Sequence, residues 1–173
     1  MQLQAVIKMQ RMKGMIVYRI LSFFVNLFAV LLAVSLLPVI SMALASPPVA
    51  MMAFLMVGVI LYAWYSNVFF SIVIIRKEQF TRRKKDWLVV NSFLAIVYSF
   101  LYTFVCIVVI THPDILRTTV NQLPVKVSTR FMENVVITML SFSTILLVHI
   151  FWTYYLIRKN KDSIIDDTPT DTE

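Results

Sequence analysis

The chain has 173 residues, 60% of them hydrophobic and 14% charged, with a formal net charge of +7. A soluble domain carries about a quarter charged residues, so this composition excludes an ordinary water-soluble fold. With only Gly14 and Gly58 and a lone Cys106, the chain has no means of building a glycine-rich phosphate loop, a nucleophile elbow or an intrachain disulfide.

The first nineteen residues, MQLQAVIKMQRMKGMIVYR, mix apolar and basic side chains. That pattern suits either a short helix on an inner membrane surface or a solvated leader. Four uncharged apolar runs follow, over residues 20–44, 49–75, 87–111 and 135–157. Each exceeds the roughly 20 helical residues that cross a hydrocarbon core. None alternates as a barrel strand would, and lipid leaves no backbone group unpaired, so helices are expected. The first run, preceded by basic residues and ending in ALAS (Ala43 to Ser46), resembles a signal peptide, and cleavage after Ala45 would leave three spans. Its 25 residues exceed the roughly 7–15 of a signal core, and it contains Asn26 and Pro38, which favours an uncleaved span.

Between the second and third runs lies RKEQFTRRKKDW, residues 76–87, with six basic residues: Arg76, Lys77, Arg82, Arg83, Lys84 and Lys85. With the N-terminal stretch and the tail they put thirteen Lys and Arg on one side of the membrane, against Arg117, Lys126 and Arg130 on the other. The positive-inside rule then places both termini in the cytoplasm. The basic loop is explained by orientation, and it is also a place for anionic headgroups to gather, at about 1 kcal/mol per cation. Nucleic acid is not an expected partner, because no folded reading domain stands behind these side chains.

In the outer loop, residues 112–134, Pro113 can open a helix whose apolar side carries Ile115, Leu116, Val120 and Leu123, with Pro124 ending it. The expected fold is therefore an all-α integral membrane protein. Its four transmembrane helices form one antiparallel bundle, N-in and C-in, with a short interfacial helix in the outer loop. Residues 1–157 make a single membrane domain, and 158–173, ending DDTPTDTE, read as a disordered cytoplasmic tail.

Small and polar residues recur at helical spacing within the runs: Asn26, Ala29 and Ala33; Ala63, Asn67 and Ser71; Asn91, Ala95, Ser99 and Thr103; Ser141, His149 and Thr153. Such faces turn inward in lipid, where small side chains allow close approach and polar ones find hydrogen bonds. The second run ends FFSIVIIRK and the fourth FWTYYLIRK, which sets Asn67 opposite His149, each about 13.5 Å from the inner boundary. His149 is the one imidazole in the spans, and Asn67 is its expected partner. The aromatic and basic residues that end both runs are also what any inner boundary carries.

These readings point to a multi-pass membrane protein with an interaction or accessory role and no enzymatic activity. The spans hold no carboxylate, and one His and one Cys build neither a metal site nor an acid-base pair. No cofactor is expected. The alternative is a small oligomeric transporter or channel with a polar seam around His149 and Asn67. The expected partners are lipid, further copies of the chain or a larger membrane protein, and the expected location is a bacterial cytoplasmic membrane.

Overall fold

The computed structural model describes residues 2–122 and 128–165. Nearly all of them are helical. Helix α1 covers Gln2–Ala43, α2 Pro47–Phe69, α3 Arg82–Thr111, α4 Pro113–Gln122 and α5 Thr129–Lys159. Four segments are long and apolar enough to cross a membrane: Met15–Ala43, Pro47–Arg76, Arg82–Thr111 and Thr129–Lys159. The chain is an all-α membrane protein.

The four long helices pack in a ring, with α1 against α2, α2 against α3, α3 against α5 and α5 back against α1. Each helix buries one stripe. On α1 the stripe is Tyr18, Ser22, Val25, Phe28, Ala29 and Leu32, a spacing of three and four that keeps to one face. Helix α1 does not break between the basic leader and the first span; residues 2–14 continue the same backbone helix. Pro38 lies within it and removes the N–H that would bond the Val34 carbonyl; one turn on, the Ser41 hydroxyl donates to the Pro38 carbonyl at 2.7 Å.

Close approach between α2 and α3 depends on Gly58. A methyl group there would fall 2.6 Å from Leu94 Cβ and 3.0 Å from its Cδ1, distances at which a helix must move. Glycine costs about 1 kcal/mol of helix propensity, which this packing offsets.

The basic end departs most from expectation. Helix α2 does not stop at Phe69 but widens into a π-helical turn, Phe70–Arg76, closed by Lys77 in the left-handed region (φ 57°), with the Glu78 N–H donating to the Ile72 carbonyl at 3.0 Å. The loop is shorter than the sequence suggests, because Arg82 to Asp86 already belong to α3. A two-residue strand β1, Phe80–Thr81, pairs in parallel with β2, Ile164–Ile165, in register Phe80 to Ile164. The tail expected to be disordered from residue 158 is thus ordered to 165: α5 runs to Lys159, a 3₁₀ turn spans Lys161–Ser163, and β2 ties it to the basic loop. Two apolar residues in the tail, Ile164 and Ile165, supply that pairing, and the Phe80 ring is fully buried edge-on to Phe69 at 5.3 Å. Residues 166–173 lie outside the described residues.

Helix α4 forms where Pro113 opens it, with Asp114 in its first turn, where the helix dipole favours an acid. Leu116 and Val120 are buried, and α4 packs on α3 and α5, while Ile115 is exposed. Leu123, Pro124 and Lys126 lie outside the described residues.

Two outcomes check this packing. Gly58→Ala should destabilise the bundle in detergent by about 1–3 kcal/mol despite alanine's better propensity. Because the clash is with Leu94 Cβ, adding Leu94→Ala should not restore wild-type thermal unfolding. Phe80→Ala should cost about 3–5 kcal/mol and expose the Lys77–Arg83 stretch, read as faster tryptic cleavage there than in wild type.

Candidate functional site

The polar centre of the bundle is built around His149, whose side chain has no solvent exposure. It lies on the buried stripe of α5 formed by Ser143, Leu146, His149, Ile150, Thr153 and Ile157. Its Nε2 is 2.8 Å from the Ser22 hydroxyl of α1, and its Nδ1 is 2.7 Å from the Tyr62 hydroxyl of α2. Tyr62 also lies 3.1 Å from Thr153 Oγ1, which is 3.0 Å from the Tyr18 hydroxyl. Thr153 in turn donates to the His149 carbonyl at 2.8 Å. Three helices therefore converge on one imidazole.

A single proton assignment uses every group in this set. Ser22 donates to Nε2, Nδ1–H donates to the Tyr62 oxygen, and the Tyr62 and Tyr18 hydroxyls both donate to Thr153 Oγ1. Thr153 then passes its own hydrogen to the backbone. The imidazole is neutral in this arrangement and has no lone pair or N–H to spare. Aromatic rings close the remaining sides: Tyr18 stacks on the imidazole at 4.7 Å and on Phe70 at 4.8 Å, and the Arg19 guanidinium sits 5.8 Å above the Phe70 ring. Tyr62 meets the imidazole edge-on at 5.8 Å.

Several sequence expectations are corrected here. Asn67 is not the partner of His149; its amide donates to Asn26 Oδ1 across the α1–α2 interface. Counting back from Arg76 at ordinary α-helical spacing misplaces Asn67, because the intervening turn is π-helical, with i to i+5 bonding. The apparent echo between the ends of α2 and α5 fails for the same reason, since α5 stays α-helical to Lys159. Asn91 and Ser99 do face inward, yet Asn91 donates to the Trp87 carbonyl of its own helix. The Ser99 carbonyl accepts from Ser143 at 3.3 Å, whereas the Ser99 and Thr103 hydroxyls, both buried, have no hydrogen-bond partner. Ala33 and Ser141 point outward, off the stripes their spacing suggested.

Tyr18, Ser22 and Tyr62 are the residues that sequence reasoning missed. A signal existed: Tyr18, Ser22 and Asn26 fall at intervals of four and extend the polar face of α1 by two turns. Assigning the first span from Ile20 hid Tyr18 in the leader, and reading Tyr62 as one apolar residue among many hid its hydroxyl.

The basic residues gather at the opposite chemistry, the bundle's charged end. Arg76, Lys77, Arg82, Arg83 and Lys84 are exposed and Lys85 is half-buried. Among the described residues, clefts at the ends of the bundle are lined by residues such as Arg82 and Trp87, Val109 and Leu116, or Val73 and Lys159, outside the His149 set. No group of three His, Cys, Asp or Glu with metal-binding geometry occurs among the described residues. No family model, curated protein or solved structure matches the chain.

If the set acts as one unit, its members should be coupled. Tyr62→Phe and Ser22→Ala should each cost about 1 kcal/mol in detergent unfolding, and the double variant should depart from additivity by about 0.5 kcal/mol or more. His149→Ala should cost more, about 2–4 kcal/mol, since it leaves a cavity and unpaired hydroxyls.

Proposed function

We propose that this protein is an interaction or accessory component of a membrane assembly, without enzymatic activity of its own. The observation that carries this reading is the saturation of His149, with both ring nitrogens engaged by hydroxyls and no exposed surface. A catalytic histidine needs access for substrate, and a proton-carrying one needs a route by which protons reach it; the buried imidazole is offered neither. Ser22 and His149 stand at the distance of a nucleophile and its base. However, the third group, Tyr62, is a neutral phenol that cannot balance an imidazolium as a carboxylate would, and Ser22 is itself buried. The same geometry does suit a structural knot tying α1, α2 and α5.

In this reading both termini face the cytoplasm, the surplus of basic residues sits at the inner leaflet beside anionic headgroups, and α4 lies at the outer interface. The membrane is a bacterial cytoplasmic membrane, a placement that rests on the compact form alone. Partners are lipid and either further copies or a larger membrane protein, with no nucleic acid and no cofactor.

A second reading, a small oligomeric transporter or channel, is favoured by one observation. The Ser99 and Thr103 hydroxyls stand one turn apart on α3, buried and unpartnered, as polar groups beside a water path would.

Native mass spectrometry of protein gently extracted from its host separates the two: a foreign subunit at fixed stoichiometry is expected. Proton or ion flux through a reconstituted homo-oligomer, lost in a folded His149→Ala variant, would overturn the accessory reading. Orientation is checked independently in a Cys106→Ser background. Ser128→Cys should react with an impermeant maleimide in intact cells and Gln79→Cys should not; the reverse labelling would invert the topology.

A further inference from the structure

At the basic end, a cleft of about 410 Å³ opens between the ends of three spans, and its two faces differ in chemistry. Met15 at the start of the first span, Val73 and Ile74 of the π-helical turn, and Leu156 of α5 form apolar walls. Lys77, Lys159, Asn160 and Ser163 line it with polar groups, and both lysines are exposed. Because Arg76 and Lys159 close the second and fourth spans, this change from apolar to cationic falls at the level where a bilayer passes from chains to headgroups.

We infer that this cleft holds one anionic glycerophospholipid, its phosphate between Lys77 and Lys159 and the first carbons of an acyl chain along Met15, Val73, Ile74 and Leu156. Two ammonium groups suit a phosphate, which accepts point charges from several directions, better than a planar carboxylate, for which a guanidinium fork is the usual match. The apolar walls give free phosphate nothing to bind, whereas a lipid chain covers them. The polar groups favour a headgroup that carries hydroxyls. The Asn160 amide already donates to the Leu156 carbonyl at 2.8 Å, so its Oδ1 remains to accept, and choline has no O–H or N–H to offer it.

Lys77 also has a backbone unusual for a lysine. It is the one non-glycine residue with positive φ among the described residues, and that backbone costs roughly 1 kcal/mol for a lysine. Asn or Gly would close the π-helical turn at lower cost. A lysine there, lining the cleft, carries a charge that neither of them supplies.

The inference rests on the proposed orientation only for which leaflet supplies the lipid. Binding to the purified full chain in detergent does not depend on sidedness. A failed titration therefore overturns the cleft and leaves the topology standing, while inverted maleimide labelling does the opposite.

The experiment is a native mass spectrometry titration with phosphatidylglycerol and phosphatidylcholine of identical chains. One phosphatidylglycerol should be retained per chain, roughly tenfold more tightly than phosphatidylcholine. Lys77→Asn with Lys159→Gln, in which Asn keeps the left-handed backbone, should lose roughly tenfold in that affinity with thermal unfolding unchanged. Lys84→Ala with Lys161→Ala removes the same charge outside the cleft and should leave binding within about twofold. Equal retention of the two lipids would overturn the proposal. So would equal loss in the two double variants, which would mean diffuse attraction, or displacement of the lipid by millimolar inorganic phosphate, which would mean a phosphate site without a lipid.

Discussion

Inside lipid no water is available to take up a stranded donor or acceptor, so a polar side chain buried in the bundle is stabilised by a partner on another helix or on its own backbone, the Ser99 and Thr103 hydroxyls being the exceptions among the described residues. His149 is where this constraint binds hardest. An imidazole has two nitrogens facing opposite ways, and satisfying both requires a hydroxyl from α1 on one side and one from α2 on the other. The position of α5 against α1 and α2 follows, and with it the placement of Thr153 to receive Tyr18 and Tyr62. Away from that point the polar residues solve the problem more cheaply. Ser66, Asn91 and Ser92 donate to carbonyls of their own helices and specify nothing about their neighbours.

A second constraint is close packing. The hydrophobic effect gives little drive between helices already in lipid, so the interfaces rely on shape. Gly58 lets α2 and α3 approach until Leu94 fills the space a methyl would need. Where α5 closes the ring on α1, Phe28 stacks on Phe142 at 5.0 Å, on the far side of His149 from the charged end. The outer surfaces remain apolar and aromatic, with Phe23, Trp64, Phe93, Phe104 and Phe151 all exposed. In a membrane that surface meets lipid or another protein, which is the ordinary state of such a face and not a liability.

The charged end is organised differently, by backbone. A π-helical turn, a left-handed lysine and a two-residue parallel pairing bring residues 70–81 against residues 159–165. Pairing of Phe80–Thr81 with Ile164–Ile165 holds the loop that carries much of the chain's positive charge against the end of α5. The apolar cleft with two lysines at its rim is a product of that arrangement, since its lining comes from α1, the π-helical turn and the end of α5.

From the sequence alone one can read the class, the number of spanning helices and the helix opened by Pro113, because each depends on local properties: run length, absence of charge and the fixed φ of proline. That α1 and α3 have polar inner faces at Asn26 and at Asn91 to Ser99 was also legible, since helical spacing alone sets it. The partners were not. Whether His149 meets Asn67 or Tyr62 depends on the rotation of α2 about its own axis, because the two lie five residues apart on different faces of one regular helix, and no apolar pattern fixes that rotation. The ordered tail was equally hidden, because two isoleucines in an acidic segment become a strand only when Phe80 and Thr81 are already held beside them. Periodicity specifies which face of a helix turns inward; which side chain it meets there is a property of all the helices together, and only the tertiary structure decides it.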